Sequence, residues 1–333
     1  MMKYEIFKEV VAERFLSQMP DDFANHTVSI QSVTEVNQIV DRLELIPPGG
    51  VHSESYPTLS VNKMYEQYQR SEDLMDTLAW AAFDMAAKYK MMAKTITTMT
   101  ADDLSEKVVM SLINTEQNKE LLSTIPNRPF RDLSIVYHMV TGGERTPMYG
   151  SLVTNEIAKL KGMDEQALYE AAVVNTKRLF PPTTKNMNQV IRDIFVSEGM
   201  PEEIAEMMVG EMPADKMMYV ISNNKGINGA VSMLYENELH TLAEHLETDL
   251  YILPSSIHEV IAVSVGMGDP NELAQMVAEI NMGQVELADR LSNQVYHYDK
   301  DLRKLTMATD TPNKRLDGIV AEPSLIYETK QSR

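Results

Sequence analysis

A chain of 333 residues with 44% hydrophobic and 24% charged side chains has the balance of a globular protein and is long enough for two domains or two lobes. The absence of cysteine excludes disulfides, thiolate nucleophiles and cysteine-ligated metal centres. A net charge of −19 sets the surface against phosphate backbones, so direct nucleic-acid binding is not expected. No run approaches the roughly 20 apolar residues that span a bilayer, and Lys3, Glu5, Lys8, Glu9, Glu13 and Arg14 interrupt any apolar leader segment. The expectation is a cytoplasmic protein with no membrane partner.

In chain order, Tyr4–Met19 places Ile6, Phe7, Val10, Val11 and Phe15 at helical spacing and stops at Pro20. Residues 27–33 and 39–46 alternate well enough to predict a strand pair, ended by Pro47-Pro48-Gly49-Gly50. Helices are predicted over 62–70 and 71–90, with Trp80 as a core residue. Residues 104–113 fit strand, helix or both, which periodicity does not separate. The break Ile125-Pro126-Asn127-Arg128-Pro129 is the predicted lobe boundary, giving an N-terminal lobe of 1–125 and a C-terminal lobe of 126–299.

Residues 133–141 read as a strand, Gly142-Gly143 as its turn and 148–153 as a partner strand. Asp164 caps a helix carrying Leu168, Ala171 and Ala172 that ends before Pro181-Pro182. A short helix over 198–209 is expected to turn Ile204, Met207 and Met208 inward. Strands follow at 217–222, 250–253 and 260–265, with a helix near 237–246 built on Leu239, Leu242, Ala243 and Leu246. Asp269-Pro270-Asn271-Glu272 combines an N-cap, a proline at N1 and a glutamate at N3, ahead of the stripe Leu273, Met276, Val277 and Ile280. A last strand is expected at 295–298, and 300–333 as a mobile tail. The fold class is therefore α+β: two lobes, each a small, mostly antiparallel sheet with packed helices.

The charge is unevenly placed. No Lys or Arg lies between Lys225 and Arg290, and those 64 residues hold eleven carboxylates: Glu236, Glu238, Glu244, Glu247, Asp249, Glu259, Asp269, Glu272, Glu279, Glu286 and Asp289. Glu198, Glu202, Glu203, Glu206, Glu211 and Asp215 form a second run without a basic residue. Such surfaces attract basic partners or cations; the plainer reading is a solvated acidic face. The 25 methionines are adaptable core fillers first and a promiscuous apolar groove second.

The runs NGAVSMLY (228–235), YILPSSIHEVI (251–261), MVAEIN (276–281) and LSNQVYHYD (291–299), with SLVTNE (151–156) and LYEAAVVNT (168–176), resemble a domain-of-unknown-function family of gut Gram-positive bacteria. Members of that family are often carried on mobile elements. The resemblance spans roughly two-thirds of the chain and implies no reaction, cofactor or catalytic residue.

Three chemistries are weighed against this background. His240, Glu244 and His258 are the alternative metal set, but His240 and His245 lie about 140° apart on a helix and H-E-x-x-H is absent. Ser256, His258 and Glu259, with Ser255 beside them in the 254–259 connection, are the alternative nucleophile, base and orienter of a hydrolase, without a nucleophile-elbow motif. Asn223-Asn224-Lys225-Gly226 lacks phosphate-loop spacing. The favoured expectation is a non-enzymatic, cofactor-free interaction protein. In that reading Glu236, Glu244, Glu247 and Glu279 bind a basic protein partner, such as a nucleic-acid-binding defence protein inhibited by charge mimicry. A hydrolase or metal-dependent enzyme built on 254–259 is the alternative.

Overall fold

The computed structural model describes residues 1–50, 56–96, 102–141, 146–210, 216–311 and 316–317. Contacts divide the chain into two compact units, Met1–Asp103 and Leu104–Arg333. The chain is mixed helix and sheet, and among the described residues the strands form three sheets whose pairings are all antiparallel.

The first unit contains α1 (Tyr4–Arg14), β1 (Thr27–Glu35), β2 (Gln38–Ile46), β3 (Thr58–Ser60), α2 (Val61–Ser71) and α3 (Leu74–Ile96). The predicted strand pair is a two-residue hairpin: Glu35 pairs with Gln38, and Asn37 takes a positive φ of 64°, which asparagine tolerates better than most residues. Phe7, Val11 and Phe15 lie on the buried side of the first helical stretch and meet Leu43, Leu45, Met64, Leu78 and Met85 in one core. Trp80 departs from its expected place in the core. It is 51% exposed on α3 beside Phe83, because Leu78, Ala81, Ala82 and Met85 already supply the buried face of that helix.

In the second unit, α4 (Asp102–Lys107) leads into β4 (Val108–Asn114), which resolves the ambiguous 104–113 segment as a short helix followed by a strand. β4 pairs along its whole length with β6 (Leu133–Thr141), and β5 (Asn127–Phe130) pairs with the first half of β6. The Ile125–Pro129 stretch thus lies inside this unit, between α5 (Lys119–Leu122) and β6. The second half of β6 pairs with β7 (Met148–Leu152) through a register shift; the Gly142-Gly143 turn lies outside the described residues. α6 (Asn155–Leu160) and α7 (Glu165–Leu179) follow, each with a side-chain N-cap, Thr154 and Asp164. α7 covers the free edge of β4: Met110 N donates to Thr176 Oγ1 at 3.0 Å and Asn175 Nδ2 donates to Val108 O at 3.0 Å.

The third sheet runs in the order β13-β12-β10-β11-β9-β8, from β8 (Pro182–Asn186), β9 (Tyr219–Asn223), β10 (Leu250–Leu253), β11 (Val260–Ser264), β12 (Tyr296–Asp299) and β13 (Lys304–Met307). The strands expected at 217–222, 250–253 and 260–265 share this sheet. Its alternation sorts the two faces. Leu250, Ile252, Ala262 and Tyr298 join the core shared with β4 and β6, which also receives Leu239, Leu242 and Ala243 of α10 (Glu236–Leu246). Leu253, Val263 and Val295 face the other way and meet Ala274 and Val277 of α11 (Pro270–Gln284). Only part of the predicted α11 stripe is inside, since Met276 and Ile280 are exposed.

The described residues reach into the stretch expected to be a tail. β13 completes the sheet, Thr309 Oγ1 donates to Gln294 Oε1 at 2.9 Å, and Leu316 is buried, its carbonyl accepting from Arg290 Nη1 at 2.6 Å. Residues 312–315 and 318–333 lie outside the described residues.

Candidate interaction surface

In the 254–259 connection the backbone groups and the Ser256 and His258 side chains make bonds inside the fold. Leu291 N donates to Ser255 O at 3.0 Å, Ser292 N to Pro254 O at 2.8 Å, and Ile257 N to Asp289 O at 2.8 Å, so the loop is stitched to residues 289–292. Ser256 Oγ accepts from the backbone N of His258 at 3.0 Å, as a turn serine does. The His258 ring is spanned at both nitrogens: Nδ1 accepts from Asn228 N at 3.2 Å and Nε2 lies 3.3 Å from Asp289 Oδ1. That contact set fixes the tautomer with its proton on Nε2 and directs neither nitrogen to Ser256. Ser222 Oγ donates to His258 O at 2.7 Å, and Gly229 packs so closely that a Cβ there would stand 2.2 Å from Ser222 Oγ and 2.6 Å from His258 O. The loop is a junction between sheet and chain crossing. Of the proposed catalytic residues Ser256, His258 and Glu259, only Glu259 is exposed.

The alternative metal set is not assembled. His240 and Glu244 sit on α10, whereas His258 is held at the loop junction, and among the described residues no group of three or more His, Asp or Glu side chains is placed to hold an ion. His240 Nδ1 is buried and makes no hydrogen bond.

A serine–histidine contact does exist elsewhere, in a place the sequence did not mark. Ser111 on β4 and His138 on β6 are 2.8 Å apart (Oγ to Nε2), and His138 Nδ1 lies 3.2 Å from Gly150 O. The carbonyl requires the proton on Nδ1, so Nε2 accepts from the serine hydroxyl. Burial pushes the His138 imidazole down to about 4, partly opposed by the Gly150 carbonyl, so the ring is neutral near pH 7. Ser111 is itself buried in the sheet, and the contact reads as a cross-strand tie. The two residues are 27 positions apart, and only the β4–β6 register, with Val109 opposite His138, brings them together.

The acidic segment is the outstanding surface feature of this unit. Of its eleven carboxylates, eight are exposed (Glu236, Glu244, Glu247, Glu259, Asp269, Glu272, Glu279 and Glu286) and none is buried. The four predicted binding residues do not share one face, however. Glu236, Glu244 and Glu247 belong to α10 and its C-cap on one side of the sheet, while Glu279 belongs to α11 on the other. Two of them are also answered by cations from the turn between β12 and β13. Lys300 Nζ lies 3.0 Å from Glu244 Oε1, and Arg303 pairs with Glu236 and donates to Asn237 Oδ1 at 3.2 Å. The Glu244 carboxylate raises the Lys300 ammonium above its ordinary range. The sequence signal for these partners was the return of basic residues at 300, 303 and 304, whose position beside α10 follows only from the hairpin.

Residues 4–300 match a family of unknown function (DUF5688). The chain belongs to that family. Its description names no reaction, and the matched range covers both compact units up to the start of the β12–β13 turn. No curated protein and no solved structure matches the chain. Among the described residues of this DUF5688 protein no helix is long and apolar enough to cross a membrane.

Proposed function

We propose that this DUF5688 protein is a non-enzymatic interaction protein that presents carboxylates to a basic protein partner. The observation that carries the reading is the exposure of eight of the eleven carboxylates in a 64-residue segment without Lys or Arg. The internal use of the 254–259 loop supports it, since Ser256 Oγ and His258 Nδ1 both accept from backbone N–H groups. An accessory role on a mobile element, with the chain occupying the nucleic-acid groove of a defence protein, is the narrower form of the same proposal; the excess of carboxylates is its physical support.

The test is affinity capture with the tagged full chain, at low and high salt, using three forms: unmodified, Glu236→Gln/Glu244→Gln/Glu247→Gln/Glu279→Gln, and Ser256→Ala/His258→Ala. The charge variant is expected to lose a basic protein that the unmodified and loop variants both retain at low salt. Loss with the loop variant and retention with the charge variant would transfer the reading to the enzyme class.

A further inference from the structure

Among the described residues of the second unit, the helical hairpin α8 (Met187–Ser197) and α9 (Glu202–Val209) is poorly covered. It is well formed. Asn186 and Gln189 make a reciprocal capping box at 2.8 and 3.0 Å, Lys185 pairs with Asp193 at 2.7 Å, and Gly199 turns the chain at a φ of 95°. Yet α8 has no fully buried residue and α9 has only Ala205. Ile204, Met207 and Met208 were expected to face inward. They are 45%, 76% and 61% exposed, because a helical stripe of apolar residues specifies a face and does not supply the element that covers it.

At about 100° per residue, α9 divides into three arcs. Ala205, which is buried, and Val209, which is half-buried, share one arc. Glu202, Glu206 and Glu203 occupy the adjoining arc, and Met207, Ile204 and Met208 occupy the next, so a row of carboxylates runs beside a row of soft apolar side chains over about two turns. Ile194 and Val196 of α8 are exposed as well, and Glu198 lies in the turn. No Lys or Arg occurs between Arg192 and Lys216.

We propose that the α8–α9 hairpin is the docking surface for a basic amphipathic helix of the protein partner. The charge complementarity selects the occupant. An apolar stripe on the incoming helix would cover Ile204, Met207 and Met208, while lysines or arginines along its flank meet Glu202, Glu203 and Glu206. Methionine suits this role because its unbranched thioether adapts to differently shaped partners. The proposal rests on the interaction reading above and adds a second surface, outside the 226–289 segment, together with the partner's chemistry.

The probe is a fluorescein-labelled peptide of Leu and Lys only, arranged as an amphipathic helix, against a scrambled peptide of the same composition. Binding to the full chain is measured by fluorescence anisotropy at two salt concentrations, with circular dichroism melting to confirm that each variant is folded. The amphipathic peptide is expected to bind at least about tenfold more tightly than the scrambled one. Met207→Ser/Met208→Ser is expected to lose about tenfold in affinity, and Glu202→Gln/Glu203→Gln/Glu206→Gln to weaken binding and flatten its salt dependence. Equal binding of the two peptides, or an unchanged affinity for the methionine variant, overturns the docking site. Concentration-dependent dimerisation abolished by the methionine substitutions also overturns it, because the face would then serve a second copy of the chain. If the peptide fails to bind while affinity capture still yields a charge-dependent partner, the docking site falls and the interaction reading stands; if both fail, both fall.

Discussion

α9 and α10 are both short acidic helices of the second unit, and they are held in opposite ways. α10 buries Leu239, Leu242 and Ala243 in the main core, and its carboxylates Glu236 and Glu244 are met by Arg303 and Lys300. α9 buries Ala205 alone. Acidic sequence runs of similar appearance therefore mean different things. One is partly neutralised by bases that return from beyond residue 299, and the other leaves its carboxylates and methionines outward. Local charge counts describe a surface only after the fold has decided which distant charges come back to it.

The sharpest way to break this contrast is to remove what stitches α10 in place. A chain ending at Asp301 loses Arg303, the β13 strand with Leu305 and Met307, and the buried Leu316. Unfilled core space and exposed strand edges should cost roughly 3–5 kcal/mol, read as a lower denaturant midpoint. A chain ending at Asp317 keeps every contact described above and should unfold at the midpoint of the full chain. Equal midpoints for both truncations would mean that β13 is not part of the stable sheet. The next largest effect is expected at the loop junction. Gly229→Ala drives a methyl group into Ser222 Oγ, His258 O and Asn223 N, which would stand 2.2, 2.6 and 2.7 Å from it. Two of the three contacts involve backbone, so the strain is not relieved by rotating a side chain, and a loss of about 2–3 kcal/mol should follow. A neutral outcome in chemical denaturation would show a looser junction and return the loop to consideration as a mobile site.

Much of this architecture was legible in the sequence, for identifiable reasons. The strand pair read at 27–33 and 39–46, the Asp164 cap and the Asp269-Pro270 helix start are local signals, set by residues near one another in sequence. What could not be read depends on distance. β4 follows from pairing with β6 across an intervening helix and turn, and the Ile125–Pro129 punctuation marks a turn inside a sheet as readily as a boundary between lobes. Lys304–Met307 lacked periodicity of its own and becomes a strand because β12 offers it an edge. The candidate site divides in the same way. The acidic residues were visible one by one, but their separation onto two faces of the sheet, and the pairing of Glu244 with Lys300, are properties of topology. Trp80, Met207 and Met208 were misplaced because apolar character predicts burial only on average.

Acid offers a smaller effect that separates the core of the unit from its surface. The His138 imidazole is held down to about 4 in the fold against an ordinary 6.5, so the unfolded chain binds a proton that the folded chain refuses. The resulting stability is fully present above pH 6.5 and is lost as pH falls from there toward 4. The upper bound is roughly 3–4 kcal/mol, from 1.36 kcal/mol for each pKa unit between 6.5 and about 4, and relaxation of the site lowers it. His138→Gln should remove most of that component from a stability–pH curve. An unchanged curve would mean that the ring is reached by solvent and that the Ser111 tie is not enclosed.

The smallest effect bears most directly on the contrast between the helices. Arg303 and Glu236 are both about half exposed, and a pair of that kind contributes a few tenths of a kcal/mol after solvent screening and the ordering of two long side chains. Glu236 also lies in the first turn of α10, where a carboxylate complements the helix dipole, so Glu236→Gln should cost slightly more than the pair alone. Glu244 is in the last turn, where the dipole disfavours it, so losing its bond to Lys300 is partly offset and Glu244→Gln should leave the melting temperature unchanged within error. A double-mutant cycle on Glu236 and Arg303 isolates the coupling. A value of a few tenths leaves Glu236 free to exchange Arg303 for a partner's cation, whereas a coupling above about 1.5 kcal/mol would make the pair a fixed part of the fold. In that event Glu236 would drop out of the binding surface, and the exposed carboxylates of α9 would become its centre.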